Sequence, residues 1–344
     1  MIETTKVLAS LAKQKISQNL LLSPVGLELL LHILTQKEFP QNLLDFQKGT
    51  HFKKTIYYWL PDYEVVINSN SSVWHSEKIK PEEKLLEWLG KYPQIELNPK
   101  KPFAKETINS WVKEQSKGLI SSINTPISHN TFALFLNLIY FKANWKNIFS
   151  SFYNTEGPFY LENGKTVQET YMNRGSEYDP TDLIYLESEN YESIKYPYIK
   201  DGLFMEFYLP KKDVSLNELI LSLATTDLKE KRRQYSPRKG ILRMPKFSIE
   251  SLINFSEIIK AIELTKDMKW FQEIEGQFLE SIIQTTVLHV NEDGTEAASL
   301  TEGAIGGIFR KKQPVVQFIL DRPFLFIIRD ELNDIDLFAG VKRV

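Results

Sequence analysis

The sequence predicts a single α+β domain, and three observations carry that assignment. Helical periodicities dominate the N-terminal part, a mixed stretch follows, and strands close the chain; a parallel βαβ sheet would instead alternate strand and helix throughout. No internal repeat and no linker rich in Gly, Pro or Ser interrupts the 344 residues, so residues 1–344 are expected to form one domain. Apolar residues make up 42 % and charged residues 25 %, the balance of a globular chain long enough to bury a sizeable core.

The elements follow in order. Val7, Leu8, Leu11 and Ala12 recur at helical spacing, which predicts an amphipathic helix over 4–16. Ser23-Pro24 starts the next helix, because a serine hydroxyl accepts from the free N–H groups of a first turn and proline suits its first position. The run Leu27 to Leu34 makes that helix a buried one. Val65 to Val73 and Ala133 to Lys142 read as strands, and the near-continuous apolar character of the second places it centrally. Glu82 to Lys91 and Pro102 to Gly118 read as helices. From Glu156 to Leu209 strands dominate, with Asn163-Gly164 and Asp201-Gly202 as hairpin turns. Leu216 to Leu228 and Phe255 to Leu264 return to helix, and Gly240 to Ile249, Glu280 to Val290, Phe318 to Ile328 and Leu337 to Val341 are expected strands.

Composition narrows the chemistry. There is no cysteine, which removes disulfides, thiolate nucleophiles and cysteine-ligated metals. A net charge of −2 gives no global attraction to nucleic acid or to an anionic membrane, and neither is an expected partner. No apolar stretch approaches the roughly 20 residues that span a bilayer as a helix. The polar start Met1 to Lys6 lacks a signal-peptide core, so the expected location is cytoplasmic, or extracellular if a leader has been removed. The five histidines show no metal-ligand spacing, and no glycine pattern matches a phosphate loop, so no metal or cofactor is expected. No serine sits in a glycine elbow, so an enzyme is not expected either.

The most informative segment begins at Val290-Asn291-Glu292-Asp293-Gly294-Thr295-Glu296-Ala297-Ala298-Ser299 and continues, small and polar, for about 30 positions to the apolar run at Phe318. A loop that long inside one domain is uncommon and usually functional or disordered. This one also alternates. Thr295, Ala297, Ser299, Thr301, Gly303 and Ile305 are uncharged and mostly small, while the intervening set contains Glu296 and Glu302. On a strand the first set faces a core and the second faces water. A loop with strand patterning stores free energy: insertion into a sheet adds backbone hydrogen bonds, each worth about 1 kcal/mol net, many at once.

Those residues, together with others along the chain, resemble the serpin family. Asn-Glu-x-Gly-Thr-Glu-Ala-Ala at 291–298 is similar to the family's hinge, and Phe318-Ile-Leu-Asp-Arg-Pro-Phe-Leu-Phe-Ile-Ile328 to its C-terminal signature. Thr107-Ile-Asn-Ser-Trp-Val112 followed by Gly118 resembles the helix that crosses the main sheet. Asn137-Leu-Ile-Tyr-Phe-Lys142 with Trp145 resembles a central strand, Met244-Pro-Lys-Phe247 a further strand, and Asn19-Leu-Leu-Leu-Ser-Pro24 the approach to the second helix. The resemblance implies N-terminal helices, a large central sheet A, smaller sheets B and C, and an exposed reactive-centre loop at about 292–314.

It also implies a mechanism. A serine protease attacks the loop and forms an acyl-enzyme; the cleaved loop enters the sheet and carries the protease into a distorted state that cannot deacylate. The expected partner is one target protease in a covalent 1:1 complex with a monomer. Inhibitory members place the scissile bond seventeen residues along from the hinge glutamate, which from Glu292 gives Ile308, with cleavage before Phe309. Ile308 suits an elastase-like pocket, Phe309 a chymotrypsin-like one and Arg310 a trypsin-like one. The hinge count favours Ile308; a trypsin-like target through Arg310, or a serpin acting as carrier or chaperone without inhibiting, is the alternative. The hinge set is Glu292, Gly294, Thr295, Glu296, Ala297, Ala298 and Ser299.

The chain departs from the family pattern under the central sheet, where a polar cluster is expected. Ser23 and Asn137 match it, Gly26 replaces a second serine, and Gln284 stands where a histidine is usual; Gln can still donate and accept. Trp145 completes the expected shutter and breach set. Leu300 exceeds the usual small hinge residue, and the segment between Phe46 and Tyr63 is short. The basic run Lys229, Lys231, Arg232, Arg233, Arg238 and Lys239 leaves weak glycosaminoglycan binding open, although Glu230 interrupts it and a solvated loop is the simpler reading. Asn70-Ser71-Ser72 and Asn254-Phe255-Ser256 fit the glycosylation pattern.

Overall fold

The computed structural model describes residues 4–13, 18–35, 50–54, 63–75, 94–96, 104–118, 120–123, 133–255, 281–295 and 315–344. Five α-helices occur among them, α1 (Thr4–Lys13), α2 (Pro24–Thr35), α3 (Ala104–Gln115), α4 (Leu216–Leu223) and α5 (Leu228–Arg232), with one short 3-10 helix at Ser151–Tyr153. The strands of the first half are β1 (Leu20–Leu22), β2 (Thr50–Lys54), β3 (Tyr63–His75), β4 (Gln94–Glu96), β5 (Ala133–Asn144), β6 (Thr155–Tyr160), β7 (Thr166–Arg174), β8 (Thr181–Glu187), β9 (Tyr191–Pro197) and β10 (Leu203–Pro210). After α5 come β11 (Ser236–Pro245), β12 (Phe247–Asn254), β13 (Ser281–Val290), β14 (Gly294–Thr295), β15 (Val316–Ile319), β16 (Phe324–Asp330) and β17 (Ile335–Lys342). The α+β class expected from the sequence is the one observed.

Among the described residues the strands form two sheets. The larger has ten strands in the order β1-β17-β16-β10-β9-β8-β11-β7-β6, with β15 also on β11. The other has seven, in the order β12-β13-β14-β5-β3-β2, with β4 on β3. One face of the seven-stranded sheet, through Phe135, Ile139, Phe141, Ile282 and Leu288, packs into the core it shares with Phe207, Phe324 and Phe326 of the ten-stranded sheet. The opposite face, through Leu134, Leu136, Leu138, Ile283 and Val287, is covered by Ile108, Trp111 and Val112 of α3. Strand β5 is therefore buried on both sides, which explains its continuous apolar run.

Three sequence expectations are corrected. Gly240 to Ile249 is not one strand: β11 belongs to the ten-stranded sheet and β12 to the seven-stranded one, and the chain changes sheet at Lys246, whose N–H donates to the Thr170 carbonyl at 2.9 Å. Phe318 to Ile328 is two strands, because β15 pairs with β11 and β16 with β10 and β17, the break falling at Asp321-Arg322-Pro323. Leu216 to Leu228 is also broken. Thr225 and Thr226 turn their hydroxyls onto the Ser222 carbonyl, and Asp227 caps a new short helix by accepting from Lys229 and Glu230 N–H. The helix expected over 4–16 is described as far as Lys13, and that expected over Glu82 to Lys91 lies outside the described residues. Of the helix expected over Phe255 to Leu264 only Phe255 is described, and it follows β12 without helix.

Candidate functional site: the sheet seam and the loop hinge

At the middle of the seven-stranded sheet two strands run parallel. β13 and β5 pair directly from Ser281↔Leu134 to Thr286↔Ile139. Beyond that point they diverge and β14 lies between them, antiparallel to both: Gly294 opposes Asn144, and Thr295 opposes Ala143 on one side and Val290 on the other. A third strand has thus begun to enter where the sheet otherwise closes.

The hinge is held by named contacts. Asn291 makes a turn in which its side-chain carbonyl accepts from Asp293 N–H at 3.1 Å and Gly294 N–H at 3.2 Å. Gly294 has φ +155° and lies so close to the Ala143 carbonyl that any Cβ would collide with it. The Thr295 side chain is fully buried, as its place in the alternation predicts, and its hydroxyl meets the Tyr198 hydroxyl at 2.8 Å. Burial drives the Tyr198 pKa upward, so the phenol stays neutral.

Trp145 forms the floor. Its ring stacks on Tyr198 with centroids 4.3 Å apart and meets Tyr196 edge-on at 5.1 Å. Its indole N–H donates to the Asn291 carbonyl at 3.0 Å, and its backbone N–H to the Asp293 carbonyl at 2.8 Å. Glu292 accepts from Lys246 at 2.9 Å and from the Asn154 amide at 2.5 Å, while its carbonyl accepts from Phe149 N–H at 2.9 Å. Burial works against its charge, yet the bonds from Lys246 and Asn154 outweigh it and hold the Glu292 carboxyl below its usual range.

Deeper along the seam, Ser23, Asn137 and Gln284 come together, all buried. Gln284 accepts from Ser23 N–H at 2.6 Å, returns a bond to the Ser23 carbonyl at 2.9 Å, and donates to Asn137 Oδ1 at 3.0 Å. The Ser23 hydroxyl donates to the Leu337 carbonyl at 2.6 Å and accepts from Gly26 N–H at 3.3 Å, which is the helix cap foreseen for it. Gly26 accommodates the cluster, since a side chain there would strike Asn137, Ile139 and Gln284.

Glu296, Ala297, Ala298, Ser299 and the candidate scissile residues Ile308, Phe309 and Arg310 lie outside the described residues. The basic run is largely neutralised. Lys229 pairs with Asp334 at 2.6 Å, Arg233 with Glu230 at 2.6 Å and Lys239 with Asp182 at 2.7 Å. Arg232 corrects the solvated-loop reading: its side chain is only 10% exposed and binds Glu206 in a bidentate fork, with Asp336 beside it. Sequence reasoning missed Tyr198 and Asn154, which no motif marks, and Lys246, which lies inside Met244-Pro-Lys-Phe247.

Comparison with known proteins agrees with this geometry. The profile described as Serpin (serine protease inhibitor) matches residues 4–343. Serpin-Z1A of Triticum aestivum is 31% identical over 255 residues, 68% of this chain and 62% of that protein. Plasminogen activator inhibitor 1 of Neovison vison is 29% identical over 247 residues, 69% of this chain and 61% of that protein. The matched region thus spans less than two thirds of either relative. Among solved structures, the thermophilic serpin Tengpin in its native state aligns with a TM-score of 0.78 at 22% identity, covering 95% of this chain and 89% of that one. A thyroxine-binding globulin complex with thyroxine aligns with a TM-score of 0.74 at 20% identity, covering 96% and 94%. The fold, the half-entered strand at the hinge and the family match over residues 4–343 together make this chain a member of the serpin family.

Proposed function

We propose that this chain is an irreversible suicide-substrate inhibitor of serine proteases, cleaved between Ile308 and Phe309 and trapping the acyl-enzyme as its loop enters the seam between β5 and β13. One observation carries the reading: Gly294-Thr295 already occupies the end of that seam as a strand, with Thr295 buried. The residues that continue the register, Ala297, Ser299 and Thr301, are small and uncharged. A chain freed from insertion has no physical need of that alternation. The name of the inhibitor relative supports the same class.

The test is incubation with elastase, chymotrypsin and trypsin separately, followed by a denaturing gel and intact mass. A covalent complex with a released peptide beginning at Phe309 is the expected result. A peptide beginning at Lys311 keeps the mechanism and moves the specificity to Arg310. Cleavage by all three with no complex overturns the inhibitory reading.

A carrier function is the second reading, favoured by a cavity of about 710 Å³ between α1, α2, α5 and the start of β17 and by the thyroxine-bound relative of similar fold. Charge pairing in the lining weighs against it: Lys229, Arg232 and Arg329 there are committed to Asp334 and Asp336. Equilibrium dialysis with thyroxine separates the two readings, a carrier retaining the ligand and an inhibitor of this kind leaving it free.

A further inference from the structure

The ten-stranded sheet ends at β1, where Leu21 stands opposite Gly340 of β17. A terminal strand presents outward N–H and C=O groups that have no ladder partner. Here side chains of the other sheet supply the partners. Leu21 N–H donates to Ser251 Oγ at 2.8 Å, and Thr286 Oγ1 donates to the Leu21 carbonyl at 2.9 Å. Two residues on, both backbone groups of Ser23 are met by the Gln284 amide. Ser251 and Thr286 are register partners on β12 and β13. Gln284 precedes Thr286 by two residues and so shares its face. Positions 286 and 284 therefore meet positions 21 and 23 in the sense of a neighbouring antiparallel strand, with side chains doing what a backbone would do. All of these residues are buried.

We propose that Ser251, Thr286 and Gln284 are positioning residues that fasten the β12–β13 pair to the edge of β1, so that loop insertion parts the sheet between β13 and β5 while β13 stays with the ten-stranded sheet. The proposal rests on the insertion reading above. Across the seam, Gln284 reaches Asn137 by a bond that opening must break, and the four bonds to Leu21 and Ser23 decide which side Gln284 follows. The fastening groups are hydroxyls, a carboxamide and backbone, so their hold does not change over the pH range in which carboxylates and histidines titrate.

The experiment uses the full chain with Ser251→Ala, Thr286→Val and, as the conservative rescue, Thr286→Ser. Amide hydrogen exchange is read at Leu21, and the molecules of inhibitor consumed per protease trapped are counted for whichever of the three proteases the wild type captures. The expected result is Leu21 exchange faster by about fivefold or more in Ser251→Ala. Thr286→Val should at least double inhibitor consumption at an unchanged rate of first cleavage, and Thr286→Ser should restore wild-type behaviour. Wild-type exchange in Ser251→Ala overturns the fastening. Faster exchange with unchanged consumption in both variants overturns its role in insertion. A wild type that captures no protease overturns the insertion reading instead, and Leu21 exchange still decides the fastening. Should Thr286→Val fail to fold, Ser251→Ala carries both readouts.

Discussion

At the scale of single residues the hinge up to Thr295 is closely constrained. Thr295 and Tyr198 satisfy each other in a fully buried pair. Thr295→Val keeps the shape but leaves the phenol only the weak Met205 Sδ acceptor at 3.6 Å, so it should lose about 1–3 kcal/mol in a urea unfolding curve; a loss below about 0.5 kcal/mol would mean the pair is not needed. Gly294→Ala should be worse, because it meets both the Ala143 carbonyl and an unfavourable φ. Glu292 gives a prediction in pH. Its carboxyl is held below its usual range in the folded chain, so its contribution is present above the unfolded carboxylate value, about 4.3, and is lost as pH falls through the folded value. The stability gap between wild type and Glu292→Gln should therefore be open at pH 7 and close in the acid range; a gap independent of pH would contradict the charged pair with Lys246. Thr295 and Glu292 were legible in the sequence because alternation and the hinge wording marked them. Tyr198 and Asn154 were not, since they reach the hinge from distant segments that carry no local signal.

At the scale of elements, α3 and β5 account for one another. The helix covers one face of the seven-stranded sheet with Ile108, Trp111 and Val112, and Trp111 meets Trp74 edge-on at 6.3 Å. Ile108→Ala should cost about 2–5 kcal/mol by denaturant unfolding; a cost under about 1 kcal/mol would show that α3 is only loosely seated. Periodicity found α3 and β5 because each has an unambiguous apolar pattern. It failed at the joints. Gly240 to Ile249 reads as one strand because both halves alternate, and nothing local announces that the chain leaves one sheet for the other at Lys246. The end of α4 failed for a different reason: Thr225 and Thr226 look compatible with helix until their hydroxyls take the Ser222 carbonyl. The basic run misled in part because linear charge does not show that Glu206 lies buried beside Arg232.

At the scale of the whole molecule, two sheets share one core and one of them stands partly open where β14 enters. Completing that strand would add backbone bonds along both sides of the seam and bury the small alternating set from Thr295 onward. A charge at the leading position should stop the process: Thr295→Arg should be cleaved as a plain substrate at the wild-type rate while forming no stable complex, and undiminished trapping by that variant would contradict insertion. The family and its fold were legible in the motifs at 291–298 and 318–328, whereas the fastening of β1 by Ser251 and Thr286 was not, because three segments far apart in sequence create it. The most direct test of the insertion account is the thermal midpoint of the chain before and after its loop is cut between residues 300 and 312 by a protease that is not retained. If the cut loop becomes a central strand, the midpoint should rise by more than about 10 °C. A midpoint that is unchanged or lower would contradict the account.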